Sequence, residues 1–184
     1  MLCVKFLGRG GEGVVKAAEI LARSVFIEGK HVQFIPFFGL ERRGAPVTAY
    51  VKIDEKPIRV SGFPERFDYL VALNPLLLGE DAVKGLREGG LIIANMHEDL
   101  RKPSLERFRV ATLEATRIAL SEGLTIAGSP IINTMILGGL IEASEIVGFE
   151  SVKHVIEEEW SGRVREINLK ALMLGKTNLR RLWR

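Results

Sequence analysis

The chain has 184 residues, 26 Lys+Arg against 23 Asp+Glu for a net charge of +3, and a single cysteine. That length fits one domain able to bury roughly 70% of its unfolded surface, and 47% hydrophobic with 27% charged residues excludes a disordered polymer. One cysteine excludes a disulfide scaffold, a zinc ribbon and a self-contained iron–sulfur cluster, each of which needs several thiolates.

Met1 to Leu7 reads as a buried strand, too short for a signal peptide and cut off by Gly8-Arg9-Gly10-Gly11. Val14 to Glu28 carries apolar residues at 14, 17, 18, 21 and 25, a helical spacing closed by Gly29. His31 to Phe37 reads as a second strand, so the first 37 residues form a βαβ unit. Pro46 to Ile53 alternates like a third strand, and the turn Asp54-Glu55-Lys56 predicts an antiparallel hairpin with Pro57 to Val60.

Asp68 to Leu73 is a continuous apolar strand, after which Asn74-Pro75 supplies cap and first-turn chemistry for a helix reaching Glu88. Leu91 to Ala94 and Arg109 to Leu113 read as further strands, and Glu114 to Glu122 as a short helix. Leu124 to Ile141 is the most apolar window and long enough to span a bilayer. Ser129, Pro130, Asn133 and Thr134 interrupt it, which predicts a turn and a buried helix from Ser129 to Val147 rather than a membrane span. Ser151 is placed as the cap of a helix through Trp160, with a last helix over Val164 to Leu174. The alternation predicts an α/β fold, a three-layer α/β/α domain with a mainly parallel sheet carrying one antiparallel hairpin. A soluble, cytoplasmic protein with no membrane contact is expected.

Charge divides the chain unevenly. Ser161 to Arg184 holds seven basic residues against Glu166 alone, a net +6, which leaves −3 on the first 160 residues. The expected organisation is therefore an α/β domain over 1–160 and a helical basic extension over 161–184. Its residues Lys176, Arg180, Arg181, Trp183 and Arg184 are expected to dock on an acidic partner surface. Without aromatic interleaving or a basic face on the body, no nucleic-acid partner is expected.

Gly8-Arg9-Gly10-Gly11-Glu12-Gly13 lies between a strand and a helix, where exposed amides at a helix N-terminus can hold a phosphate. It matches G-x-G-x-x-G, but a dinucleotide site also needs an acidic residue ending the second strand. That strand ends Phe34-Ile35-Pro36-Phe37-Phe38, which argues against NAD. A second loop, Phe38 to Pro46, holds Glu41, Arg42, Arg43 and Gly44, two guanidiniums suited to forked binding of phosphate or carboxylate. His31, His97 and His154 have no ligand-like spacing, so no metal site is expected, although His97-Glu98-Asp99 follows a strand end where open sheets bind ligands. Cys3 reads as a small buried hydrophobe.

Gly8 to Gly13, Phe38 to Val47, Lys52 to Ile58 and the Asn133 to Gly138 segment, in that order, resemble the gamma subunits of 2-oxoacid:ferredoxin oxidoreductases, of the pyruvate and branched-chain type. The resemblance implies a subunit of a complex that decarboxylates a 2-oxoacid with coenzyme A to acyl-CoA, CO2 and reduced ferredoxin. It places thiamine diphosphate, magnesium and [4Fe–4S] clusters on the alpha, beta and delta partners. This chain is then a structural subunit beside the active-site entrance, helping to enclose CoA, with no catalytic residue of its own. The implied CoA or partner contacts are Gly8, Arg9, Gly10, Gly11, Glu12, Gly13, Glu41, Arg42, Arg43, Gly44, Asn133 and Thr134. The family usually carries Gln at position 12; Glu12 here would repel a phosphate and favours packing on a neighbour. The alternative reading is a free-standing nucleotide- or acyl-CoA-binding module.

Overall fold

The computed structural model describes residues 1–37, 44–60, 62–98 and 103–183. Strand β1 (Leu2–Arg9) leads through Gly13 into α1 (Val14–Ile27), then β2 (His31–Phe37) and β3 (Pro46–Asp54). β4 (Phe67–Ala72), a one-turn α2 (Glu80–Val83), β5 (Leu86–Ala94), β6 (Arg109–Thr112) and α3 (Ala115–Ser121) follow. A two-residue pair, β7 (Thr125–Ile126) and β8 (Ser129–Pro130), precedes α4 (Asn133–Ser144), α5 (Phe149–Glu159), α6 (Gly162–Thr177) and β9 (Arg180–Arg181).

The strands of the main sheet run in the order β2-β3-β1-β4-β5-β6-β9, and β7 pairs with β8 apart from them. β1, β4, β5 and β6 are mutually parallel, whereas β3 is antiparallel to both β1 and β2, and β9 is antiparallel to β6. The α/β fold and its hairpin are thus as expected, but the hairpin lies elsewhere. β3 turns back on β2 rather than forward onto 57–60, and inserts between β1 and β2. The expected βαβ unit is therefore split by one antiparallel strand. Residues 57–60 form no strand, because β3 already has a neighbour on each side.

Pattern explains the layers. Along β3, Val47, Ala49, Val51 and Ile53 alternate onto one face of the sheet with Val4 and Phe6 of β1, where α1, α3, α4, α5 and α6 pack. The opposite face holds Cys3, Leu7, Leu70, Ile92 and Val110, covered by α2 and two 3-10 turns at Pro75–Leu77 and Pro103–Leu105. The ends of β4 (70–72) and β5 (91–94) are buried on both sides and read as continuous apolar runs for that reason.

Three expected boundaries moved. The helix from Asn74 to Glu88 is broken by Gly79 and by Gly85, which takes φ +88°, so that β5 begins at Leu86. Asn74 does cap the turn, accepting from Leu76 N–H at 3.1 Å. The long helix expected from Ser129 starts at Asn133, because Ala127 and Gly128 at positive φ make the β7–β8 hairpin first. α5 is preceded by Gly148, not capped by Ser151, whose hydroxyl instead donates to Glu28 Oε1.

Segment 161–184 forms α6 and β9. Ile167, Ala171 and Leu172 of α6 lie in the core against α4, and β9 extends the sheet beyond β6. The α4–α6 seam is unusually close: a Cβ added at Gly138 would lie 2.1 Å from Leu172 O, and one at Gly175 1.8 Å from Met135 O. No helix among the described residues is long and apolar enough to cross a membrane.

Candidate functional site at the carboxyl edge of the sheet

In an open α/β sheet the crevice for ligands opens at the carboxyl ends of the parallel strands, where successive connections leave in opposite directions. Here that point falls between β1, whose connection runs toward β2, and β4, whose connection runs toward β5. The glycine loop sits on it. Gly13 takes φ +77° and Gly11 φ +97°, conformations that disfavour a side chain and let the chain turn sharply from β1 into α1.

The Glu12 side chain fills the crevice itself. One carboxylate oxygen accepts from Arg9 N–H at 2.6 Å and the other from Asn74 Nδ2 at 2.6 Å. A carboxylate therefore occupies the position at the switch point where a bound phosphate would meet backbone amides, and it joins the ends of β1 and β4. A Cβ at Gly8 would stand 2.8 Å from Glu12 Oε2 and 2.6 Å from Val14, so Gly8 makes room for this fold-back. Asn74 was legible as a helix cap; that the same side chain donates to Glu12 was not. One strand further on, buried Asn95 donates to Leu73 O and Thr116 Oγ1 and accepts from Thr116 N–H, closing the neighbouring gap in the same way.

The second loop meets the first. Gly10 N–H donates to Ala45 O at 2.9 Å and Arg9 Nη1 to Gly44 O at 2.8 Å, while Arg9 stands opposite Pro46 at the end of the β1–β3 ladder. Gly44 is thereby placed beside the glycine loop. Glu41, Arg42 and Arg43 lie outside the described residues. Asn133 also arrives here: a Cβ at Gly13 would lie 2.7 Å from its Nδ2 and 2.9 Å from its Cβ, so its side chain lies flat on Gly13. Thr134, next in sequence, does not. Its hydroxyl donates to Asn168 Oδ1 in the buried α4–α6 seam, and Asn168 Nδ2 in turn donates to Val164 O. A polar pair between two helices gave no periodic signal in the sequence.

Outside the Glu12 plug, a groove of about 400 Å³ opens between the loop and α1, lined by Arg9, Gly10, Gly11, Val15, Lys16 and Val47. A small polar cleft of about 60 Å³ lies under the ends of β5 and β6 at Met96, His97, Glu98 and Glu114. It is laced by ion pairs from Arg180 to Glu98 at 2.8 Å and from Arg117 to Glu114, with His97 Nε2 3.6 Å from Glu114 Oε1. Asp99 lies outside the described residues.

The tail cations are engaged within the chain. Arg181 donates to Glu142 O at 2.6 Å and pairs with its carboxylate at 3.1 Å, Lys176 stands 5.1 Å from the Phe149 ring centre, and Arg109 stacks 5.9 Å from Trp183. Arg184 lies outside the described residues. Cys3 is buried, and burial together with the Asp68 carboxylate pushes its thiol up to about 12, which leaves no thiolate at neutral pH. Burial lowers the Lys5 ammonium, which donates to Ala82 O at 3.0 Å and stands 5.0 Å from the Phe67 ring centre. Among the described residues no group of three His, Cys, Asp or Glu is arranged to hold a metal ion.

Residues 3–177 match the family described as pyruvate ferredoxin/flavodoxin oxidoreductase. The chain belongs to this family. Within it, the chain is 47% identical, over 93% of each protein, to the pyruvate/ketoisovalerate oxidoreductases common subunit gamma of Thermococcus litoralis. It is 37% identical to the pyruvate synthase subunit PorC of Methanothermobacter thermautotrophicus over 99% of this chain and 98% of that one. The crystal structure of the pyruvate oxidoreductase subunit PORC from Thermotoga maritima superposes with a TM-score of 0.83 at 28% identity, covering 99% of this chain and 98% of that one. The chain is thus a gamma-type member of the oxidoreductase family, and the resemblance carried by the two loops is confirmed over the whole length.

Proposed function

We propose that this chain is the gamma subunit of a multi-subunit oxidoreductase that decarboxylates pyruvate or a related 2-oxoacid with coenzyme A, giving acyl-CoA, CO2 and reduced ferredoxin. Alpha, beta and delta subunits are its partners and carry thiamine diphosphate, magnesium and the [4Fe–4S] clusters. The observation that carries a non-catalytic role is the state of the switch-point crevice. Among the described residues, the Glu12, Asn74 and Asn95 side chains that line it are engaged in hydrogen bonds within the chain itself rather than held open toward a ligand. Thiamine diphosphate chemistry belongs to the group itself once bound, and this chain's residues serve to shape and close the entrance beside it.

On this reading the groove at Arg9, Gly10, Gly11 and Lys16 faces coenzyme A or the subunit that holds it. Arg9 is pinned to Gly44 O and Lys16 is held by Glu19 and Glu159, so both cations are pre-positioned rather than free to search. The exposed guanidiniums of Arg180 and Arg181 serve as a salt-sensitive secondary contact.

The test is reconstitution. Alpha, beta and delta subunits purified with and without this chain are assayed for CoA-dependent ferredoxin reduction by pyruvate. Activity restored only on adding the chain supports the proposal; full activity without it, or no association, overturns it. Calorimetric titration of CoA onto the isolated chain distinguishes the free-standing CoA-binding module, which predicts saturable heat where the subunit reading predicts none.

A further inference from the structure

The two faces of the sheet are finished differently. One is closed by five helices, and α1 and α5 are tied together across it by ion pairs from Lys16 and Arg23 to Glu158 and Glu159, with Phe26 and Ile27 exposed at the end of α1. The other is covered over β4 to β6 by α2 and short turns, but among the described residues no helix lies on this side over β2 and β3. There the segment after β3 crosses the sheet. Fully buried Lys52 reaches up from β3 and its ammonium donates to Val60 O at 3.2 Å and Gly62 O at 2.7 Å.

That arrangement turns the backbone of the segment inward and its apolar side chains outward. Val60 is 63% exposed and Phe63 55%. Phe63 meets Phe37, itself 49% exposed at the end of β2, edge to face at 5.2 Å, and tilts over Tyr50 at 6.0 Å. A buried cation that holds apolar side chains in water is the reverse of what an isolated domain needs. Contiguous, pre-positioned aromatic surface marks an interface.

Resting on the subunit reading above, we propose that the Phe37–Val60–Phe63 patch seats a neighbouring subunit of the same oxidoreductase, which supplies the layer the sheet lacks on this side. Three observations identify that occupant. The middle of the α1–α5 face is finished for water by ion pairs, whereas the contiguous aromatic cluster of Phe37, Tyr50 and Phe63 lies on the opposite side. Phe37 ends β2 at the same edge of the sheet as the glycine loop, opposite Thr48 and two residues along β3 from Pro46, which makes the patch continuous with the candidate site. The same fold also forms 30% of a longer chain in the 2-oxoglutarate:ferredoxin oxidoreductase from Magnetococcus marinus, at a TM-score of 0.79, so there the fold shares one chain with other parts of an oxidoreductase.

The test uses the full chain and the co-expressed remaining subunits. Binding is measured for the wild type, for the Phe37→Ser/Phe63→Ser variant and for Phe26→Ser, which alters a more exposed aromatic at the end of α1. The patch variant is expected to bind about 30-fold or more weakly, and Phe26→Ser to bind as the wild type does. Because the patch variant risks misfolding, hydrogen exchange of the wild type, free and assembled, supplies an independent reading: amides of 60 and 62–63 should gain protection on assembly. Binding by the wild type with unchanged exchange there, or with the patch variant undiminished, overturns the patch and leaves the subunit reading standing. Loss of self-association rather than of subunit binding in the patch variant also overturns it, in favour of a second copy of this chain. No binding by the wild type overturns the subunit reading and the patch with it.

Discussion

Gly138 and Gly139 are adjacent on α4, yet the same substitution at each should have opposite results. A methyl at Gly138 would lie 2.1 Å from Leu172 O and 3.1 Å from Lys176 N, both backbone atoms of α6 that cannot rotate away. Restoring an ordinary contact means parting the two helices by about 1 Å, in a core where such overpacking costs roughly 1–3 kcal/mol and occasionally more. The shift also strains the buried Thr134–Asn168 hydrogen bond at 2.5 Å, a contribution of about 1 kcal/mol. Against this stands about 1 kcal/mol of helix propensity gained by Gly→Ala. The net loss for Gly138→Ala is about 1–3 kcal/mol, or a melting temperature lower by about 2–12 °C for a chain of this size. At Gly139 the new methyl meets the ends of Leu179 at 3.1 Å and Leu113 at 3.4 Å, and its backbone neighbour, Gly175 O, stands at an ordinary contact distance of 3.7 Å. Those side chains turn aside, the propensity gain offsets the crowding, and Gly139→Ala should stay within about 0.5 kcal/mol of the wild type. Urea unfolding at constant m-value measures both. Equal effects would refute the claim that backbone proximity, rather than helix composition, selects glycine at 138.

Glu12→Gln leaves two donors, Arg9 N–H and Asn74 Nδ2, facing a side chain with one acceptor, and should destabilise by about 1–2 kcal/mol. Adding Asn74→Asp restores an acceptor and should recover most of that loss in the same melting assay. Burial holds the Cys3 thiol up to about 12 in the folded chain, against 9.0 for an ordinary thiol. The native state therefore binds more protons than the unfolded one between those values, and the thiol makes stability fall as pH rises through that window. Cys3→Ala should lessen the loss between pH 9 and 11 by roughly 2 kcal/mol, while the opposite trend from Lys5, whose lowered ammonium adds stability as pH rises toward 10.5, is common to both proteins. Glu159 is held below its usual range chiefly by its hydrogen bond from Lys16, so its contribution is present above about pH 4.5 and lost as pH falls through its folded value. Glu159→Gln should cost up to about 1 kcal/mol at pH 7 and nothing at pH 2, by thermal melts at both.

What the sequence revealed was set by how local each cause is. β1, α1 and β2 follow from apolar periodicity and one glycine turn, and all three stand where expected. The insertion of β3 between β1 and β2 was hidden because Pro46 to Ile53 alternates identically whichever neighbour it takes. The helix after Asn74 was over-extended because Gly79 and Gly85 weigh little against an apolar run until Gly85's positive φ is known. At the site, the glycine loop and Asn133 were singled out separately, 120 residues apart, and only the fold shows one lying on the other. Thr134 was grouped with Asn133 by adjacency, but successive residues on a helix face about 100° apart, which sends it to Asn168 instead.

The insertion of β3 also decides when the loop platform can exist. β2 and β3 are joined by a short connection and form a local hairpin, whereas β1 reaches β3 only after α1 and β2 have been laid down. Because loop closure must precede the reward of a non-local pairing, the β1–β3 ladder is a late contact in folding. Its last rungs, Gly8 to Val47 and Arg9 to Pro46, are those that set the glycine loop against Ala45. The platform is thus acquired with the docking of a single hairpin, and can be lost by its undocking while the parallel β4–β6 half of the sheet stays folded.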